Sequence, residues 1–255
     1  MKFMPYVCCG DPSAGFTIKL VKTLVYNGAD AIELGIPFSD PVADGKTIQA
    51  AGERALKNGM TPKKAVGIIK ELKTCGVAVP IYVMTYYNII LANGNGRFVS
   101  ELAHAGVNGL IVPDVPLEES NELHDECRKN RIDLIYLIAP NSSNDRIKKI
   151  NKLAGGFIYA VSVLGTTGSR KKISNEAKEL VKRAKKIIRL PVVVGFGVSK
   201  PEHVKELVIT GADGAIVGSE IVDIYSKFLE NGKFNEEKAL EEIARFAKSM
   251  KEASQ

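Results

Sequence analysis

The residues best equipped for chemistry cluster early in the chain. Within Ala29-Asp30-Ala31-Ile32-Glu33-Leu34, extended alternation puts Ala29, Ala31 and Glu33 on one face and Ile32 and Leu34 on the other. A carboxylate flanked by small alanines on the inward face of a buried strand is desolvated, which raises its pKa toward the range useful for general acid and base work. The alternative is a structural Glu33 satisfied by a tyrosine or a backbone N–H. Next comes Gly35-Ile36-Pro37-Phe38-Ser39-Asp40-Pro41-Val42-Ala43-Asp44-Gly45-Lys46, a loop with two prolines and two aspartates. A stiff polar loop above a scaffold is a place where function concentrates. Asp44 either caps the following helix or aims a carboxylate at a substrate donor.

Three glycine-bearing segments lie further on: Leu164-Gly165-Thr166-Thr167-Gly168-Ser169, Gly195-Phe196-Gly197 and Gly218-Ser219-Glu220. Unpaired N–H groups at such turns, backed by a helix N-terminus, favour an anion such as phosphate; plain turns are the other reading. Gly195-Phe196-Gly197 is a poor dinucleotide fingerprint, because Lys200 occupies the place of the third glycine. His104, His124 and His203 fall on expected helices and lack metal-ligand spacing, and no serine sits in a GxSxG turn. Carboxylate chemistry on a phosphorylated metabolite, without a metal, is what remains.

These groups need elements to hold them. Short β-branched runs alternate with stretches of helical period eight times. The expected strands are Pro5 to Cys9, Ala29 to Leu34, Pro80 to Thr85, Gly109 to Pro113, Asp133 to Ile138, Phe157 to Ser162, Pro191 to Phe196 and Gly214 to Gly218. Expected helices include Ser13 to Tyr26, Thr47 to Lys57, Thr61 to Lys73, Arg97 to Ala105, Leu117 to Lys129, Asn144 to Leu153, Asn175 to Ile188, Glu202 to Ile209 and Glu220 to Leu229. Strands that read as nearly continuous apolar runs require a parallel sheet buried on both faces. Eight such units predict an α/β fold, a (β/α)8 TIM barrel spanning residues 1–255 as a single domain. An extra C-terminal helix, Glu236 to Ala253, is expected outside, with no N-terminal helix to cover the barrel bottom. In a barrel the chemistry belongs at the C-terminal strand ends, where Glu33, the loop after it and the late glycines all fall.

Composition agrees. The 255 residues are 45% hydrophobic and 25% charged, ordinary for a globular chain, which excludes disorder. No apolar run approaches the roughly 20 residues that cross a bilayer, and the N-terminal residues do not read as a signal peptide, so a cytoplasmic location is expected. The four cysteines lack CxxC spacing and read as small buried thiols. The net charge of +6 suits an anionic metabolite or nucleic acid. Its densest stretch, Arg170 to Arg189, also carries Glu176 and Glu179 and reads as a solvated helix face rather than a nucleic-acid patch.

The run from Ala31 to Gly45 strongly resembles the signature of tryptophan synthase alpha chains. Similar segments follow in order across nearly the whole sequence: Gly10-Asp11-Pro12, Met84 to Asn88 with Tyr86, Val112-Pro113-Asp114-Val115-Pro116 before Glu118-Glu119-Ser120, Gly168, Gly195-Phe196-Gly197 and Gly218-Ser219. The resemblance implies retro-aldol cleavage of indole-3-glycerol phosphate to indole and D-glyceraldehyde 3-phosphate. It implies that Glu33 does the acid and base work, that Asp44 accepts the indole N–H, and that Tyr159 lies near Glu33. By the same resemblance Tyr6, Met84, Tyr86, Ile111 and Phe196 enclose the ring, while Thr167 reaches Asp44 on loop closure. Gly168, Gly197, Gly218 and Ser219 would hold the phosphate. The implied partner is the beta chain, in an alpha2beta2 complex; Pro37, Asp40 and Asn88 would face it. Pyridoxal phosphate would belong to that partner, leaving this chain without a cofactor. Two departures stand out: Lys46 where the family commonly has proline, and the missing N-terminal helix.

Rival readings stay open at this stage. A Schiff-base aldolase would need a lysine inside the mouth, for which Lys46 is the loop candidate. A mainly allosteric binding subunit would have little chemistry of its own, against which the intact Glu33 and Asp44 argue. The run Ile89-Ile90-Leu91 beside Asn93-Gly94-Asn95-Gly96 is either helix core or part of a partner-covered patch.

Overall fold

Eight runs of buried aliphatic residues form parallel strands that hydrogen-bond in chain order and close into a barrel. They are β1 Phe3–Cys8, β2 Ile32–Gly35, β3 Ile81–Met84, β4 Gly109–Ile111, β5 Asp133–Ile138, β6 Ile158–Val161, β7 Val192–Gly195 and β8 Gly214–Val217. Closure is direct, with Phe3 beside Ala215 and Pro5 beside Val217. The structure, a computed structural model, describes residues 3–161, 173–195, 197–230 and 233–255.

Among the described residues the outer layer consists of α1 Ala14–Tyr26, α2 Lys46–Lys57, α3 Pro62–Thr74, α4 Tyr87–Asn93, α5 Asn95–His104 and α6 Asn121–Lys129. It continues with α7 Asn144–Leu153, α8 Asn175–Lys185, α9 Pro201–Thr210, α10 Ser219–Ser226 and α11 Glu236–Ala253. Several starts are written in the sequence: the side chains of Ser13, Thr61, Ser143 and Ser174 each accept an N–H from the first turn of α1, α3, α7 and α8. Helix α11 keeps the bounds expected for it and packs on α1, α9 and α10. Its buried Ala239, Ile243, Ala247 and Met250 follow helical spacing. Near its end Lys251 pairs with Asp30 at 2.6 Å, and the other Asp30 oxygen accepts the Phe3 N–H at 3.0 Å. The entry to β1 is thereby tied to the last turn of the outer helix.

Three local expectations needed correction. The segment after β3 holds two helices, because only Gly94, at φ 81°, breaks the chain there; Asn95 and Gly96 already lie in α5. The stretch from Leu117 divides into a 3-10 turn, Leu117–Glu119, and α6, since the Ser120 hydroxyl turns back to the Leu117 carbonyl at 2.8 Å and pairs with the Tyr136 hydroxyl at 2.9 Å. A two-stranded hairpin, β9 Leu229–Glu230 with β10 Lys233–Phe234, follows α10 where a longer helix was expected. Phe234 there meets Phe16 edge to face at 4.7 Å.

The register decides what faces inward. Tyr6, Glu33, Tyr82 and Gly109 sit side by side across β1 to β4, and residues paired in a parallel ladder share a face. Tyr82 meets Phe157, next to β6, with ring centroids 5.0 Å apart. Strands β3 and β6 are not neighbours, so these rings meet across the lumen, and Glu33 lies on the lumen face. Glycines make the space: a Cβ on Gly35 would run into the Tyr6 ring, and one on Gly195 into the Tyr159 ring.

Candidate active site

Glu33 is 3% exposed, and its Oε2 has no hydrogen-bond partner among the described residues. Burial, and then the nearby Asp44 carboxylate, push its pKa up to about 8. A buried carboxyl oxygen left unpartnered is costly unless the acid stays neutral or serves a reaction. A structural carboxyl would have both oxygens satisfied, and Oε2 of Glu33 is not.

Asp44 reaches the same space from the loop after β2. Helix α2 starts at Lys46 with Gly45 as its cap and no side-chain capping bond, so Asp44 does not cap it. Its carboxylate, 8% exposed, is bonded to the Tyr86 hydroxyl. Burial raises its pKa to about 6, and the Tyr86 bond works in the opposite direction. Tyr86 also accepts the Ala43 N–H at 3.2 Å, and its ring stacks on Phe38 with centroids 5.3 Å apart. One tyrosine at the end of β3 thus grips the loop at three points. The sequence reading made Tyr86 a wall of the ring pocket; its role as the donor to Asp44 was missed, and nothing in the one-dimensional pattern pairs these two positions.

The other inward residues converge on this pair. The phenols of Tyr6 and Tyr159 are buried, and burial followed by nearby anions keeps both protonated; Glu33 and Asp44 are among those anions in each case. Tyr159 on β6 and Glu33 on β2 therefore lie close together across the lumen. Met84 and Ile111 are buried and extend the row begun by Gly35, so an apolar floor runs beside the carboxylates. Thr167, Gly168 and Phe196 fall outside the described residues.

At the other end of the mouth, Gly218 caps α10 and Ser219 opens it. The first intrahelical bond runs from the Ile221 N–H to the Gly218 carbonyl at 2.9 Å, which leaves the preceding N–H groups directed outward at the positive end of the helix. A Cβ on Gly218 would come within 3.2 Å of the Tyr6 Cβ, so this helix start abuts the same tyrosine that neighbours Glu33. Gly197, at φ 78°, takes a left-handed conformation that glycine adopts without strain.

Lys46 is exposed at the first position of α2, which removes the lysine that a Schiff-base mechanism would need. Around the rim Asp40, Val42, Asn88 and Leu91 are exposed, with Val42 at 74% and Leu91 at 51%. Ile89 and Ile90 are core, so only Leu91 of that run faces outward. Pro37, expected at a partner surface, is instead buried in the free chain, with its Cβ facing Gly52 of α2. Among the described residues no group of three or more His, Cys, Asp or Glu could hold a metal, and no helix is long and apolar enough to cross a membrane.

Known proteins share this architecture. The family model described as tryptophan synthase alpha chain matches residues 1–255. The chain is 49% identical over 236 residues to the tryptophan synthase alpha chain of Methanocaldococcus jannaschii, covering 92% of this chain and 83% of that protein. It is 42% identical over 250 residues to that of Arabidopsis thaliana, covering 98% and 89%. A chain in the structure concerned with mutual activation of the tryptophan synthase a2b2 complex from the hyperthermophile Pyrococcus furiosus superposes with a TM-score of 0.89 at 41% identity. That match covers 98% of this chain and 97% of the other.

Proposed function

The chain belongs to the tryptophan synthase alpha chain family, and on that premise we propose a division of roles in cleaving indole-3-glycerol phosphate: Glu33 does the acid and base work, and Asp44 stabilises the charge that develops on the ring. The observation that carries the division is the separation of the two acidities, about 8 for Glu33 and about 6 for Asp44. At neutral pH the first holds its proton and the second is ionised, so one carboxyl can act as the acid while the other stays charged to stabilise a cation.

The step balances on these two groups. Protonated Glu33 delivers its proton to indole carbon 3, and Asp44 stabilises the resulting cationic ring through the indole N–H. Glu33, now a carboxylate, takes the proton of the side-chain hydroxyl adjacent to the ring. The bond between carbon 3 and that carbinol carbon breaks, its electron pair returns to the ring as indole, and the oxygen becomes the aldehyde of glyceraldehyde 3-phosphate. Glu33 ends protonated as it began. Tyr6, Met84, Tyr86, Ile111, Tyr159 and Phe196 enclose the ring, Thr167 reaches Asp44 on loop closure, and the N–H groups of Gly168, Gly197, Gly218 and Ser219 hold the phosphate.

The reading extends to residues 1–255 working as one domain in the cytoplasm, with no cofactor of their own and with pyridoxal phosphate left to the beta chain. That chain docks on the rim near Asp40 and Asn88, with Pro37 supporting the loop from beneath. Exposed Val42 and Leu91 favour this side for the partner. The test is indole release from indole-3-glycerol phosphate by the purified chain across pH. We expect kcat/KM to rise near pH 6 as Asp44 ionises and to fall near pH 8 as Glu33 loses its proton, with both limbs belonging to the coupled pair. A chain that releases no indole, alone or with a beta chain, refutes the proposal.

A further inference from the structure

A charge cluster that plays no part in the chemistry above sits behind the mouth, with Asp11 and Tyr225 buried and Arg54 half-buried. Asp11, in the turn after β1, is fully buried, and its carboxylate accepts from Arg54 Nε at 2.8 Å, from Arg54 Nη2 at 2.7 Å and from the Tyr225 hydroxyl. Arg54 belongs to α2, the helix that follows directly on Asp44, and Tyr225 belongs to α10, the helix that starts at Gly218 and Ser219. Arg54 Nη2 also donates to Ser226 Oγ of α10 at 3.2 Å. Nearer the mouth, about two turns back along α2 and one along α10, Thr47 of α2 donates to Asp223 of α10 at 3.2 Å. The helix that follows the indole-end carboxylate and the helix that starts with the phosphate-end N–H groups are thus joined at two levels, and the deeper joint is anchored beside β1 through Asp11.

Stability alone does not account for this arrangement. An ion pair with its carboxylate buried and its arginine half-buried gains little net stability, because desolvation offsets much of the attraction. A bidentate arginine and carboxylate pair does supply fixed geometry, which a point charge does not. Fixed geometry is what a substrate spanning both ends requires, since its phosphate on α10 and its indole N–H at Asp44 must both be in register with Glu33.

We propose that Asp11, Arg54 and Tyr225 are positioning residues that set the spacing of α2 against α10, and so hold the two ends of the substrate in register for cleavage. The proposal rests on the function assigned above. Its test is the variant Arg54→Lys, which keeps a positive charge beside Asp11 but loses the fork, together with the pair Asp11→Asn and Arg54→Met, which leaves no unpaired charge. For both, kcat for indole-3-glycerol phosphate is expected to fall about tenfold to a hundredfold, the usual cost of a misplacement near 1 Å. The dissociation constants for inorganic phosphate and for indole, measured separately by calorimetry, should stay within about threefold of wild type, because each fragment needs only one end. Wild-type kcat in the pair variant overturns the proposal. So does a loss of kcat matched by equal losses of fragment affinity and melting temperature, which would mean general loosening, and so does a pair variant that cannot fold. If the wild-type chain itself releases no indole, the assigned function fails; if wild type is active and the variants match it, only the strut fails.

Discussion

In the proposed site the two ends of the mouth are built by different means. At the indole end the work falls to side chains whose protonation is set by burial and by each other: Glu33, Asp44 and the phenols of Tyr6, Tyr86 and Tyr159. At the end proposed for the phosphate the groups on offer are backbone ones, at Gly197 and at the start of α10 with Gly218 and Ser219. Chemistry placed in side chains is lost atom by atom and shows in kcat. An anion cradle made of N–H groups survives most substitutions and fails when a side chain intrudes, which shows in affinity.

Glu33→Gln should break the comparison most severely at the indole end. The amide fills the same space but can neither give nor take the proton, so turnover is expected to drop by on the order of 10²–10⁴ while binding is kept. Activity above a tenth of wild type would contradict the assignment. The same variant has a stability signature. Because the folded acidity of Glu33, about 8, lies above its ordinary value of 4.5, the folded state holds the proton more tightly than the unfolded chain. Its contribution is therefore full below pH 4.5 and is lost as pH rises through 8. Thermal scans should find the glutamine variant gaining on wild type across that window, by on the order of a few kcal/mol at its upper end; parallel curves would mean that the acidity of Glu33 is ordinary.

The phosphate end is probed by Gly218→Asp. The new Cβ would lie 3.2 Å from the Tyr6 Cβ, which must yield slightly, and the carboxylate would stand where a dianion should rest. Two like charges a few ångströms apart cost roughly 4 kcal/mol at the effective dielectric of a protein surface, enough to weaken glyceraldehyde 3-phosphate binding by on the order of 10²–10³. The backbone at Gly218, φ −119° and ψ −73°, is open to any residue, so the melting temperature should change little. Unaltered affinity in calorimetry would move the phosphate elsewhere.

The same contrast governs what the sequence could disclose. The strands were legible because a strand buried on both faces must be apolar throughout, and α11 because its stripe keeps helical spacing over its whole length. Glu33 was legible because a carboxylate among alanines violates that pattern. Tyr86 was seen as an aromatic near a strand end, but its bond to Asp44 joins the end of β3 to the loop after β2, and no local pattern encodes such a contact. Asp11 and Arg54 were opaque for the same reason: each looks like an ordinary surface charge until the barrel closes and brings β1, α2 and α10 together. Helix α4 was missed because Asn93-Gly94-Asn95-Gly96 reads as a loop, while the structure spends only Gly94 on the turn.

The smallest expected effect gives the finest test of the indole end. Tyr86→Phe keeps the ring that stacks on Phe38 and removes only a hydroxyl, so the loop after β2 should keep its path. Two bonds disappear with that oxygen. The half-buried Ala43 N–H loses its acceptor, a cost of about 1 kcal/mol in stability. Asp44 loses the donor that holds its pKa down against burial, so its pKa must climb above about 6. The carboxylate needed to stabilise the cationic ring then forms only at higher pH. The acidic limb of kcat/KM should shift upward by on the order of one pH unit, the equivalent of roughly 1.4 kcal/mol, while the limb near 8, where Asp44 is largely ionised in both proteins, moves much less. Activity near pH 6 falls several-fold and activity near pH 8 scarcely changes. A uniform loss at all pH values would instead make Tyr86 a wall of the ring pocket, as the bare sequence suggested, and would leave the acidity of Asp44 to burial alone.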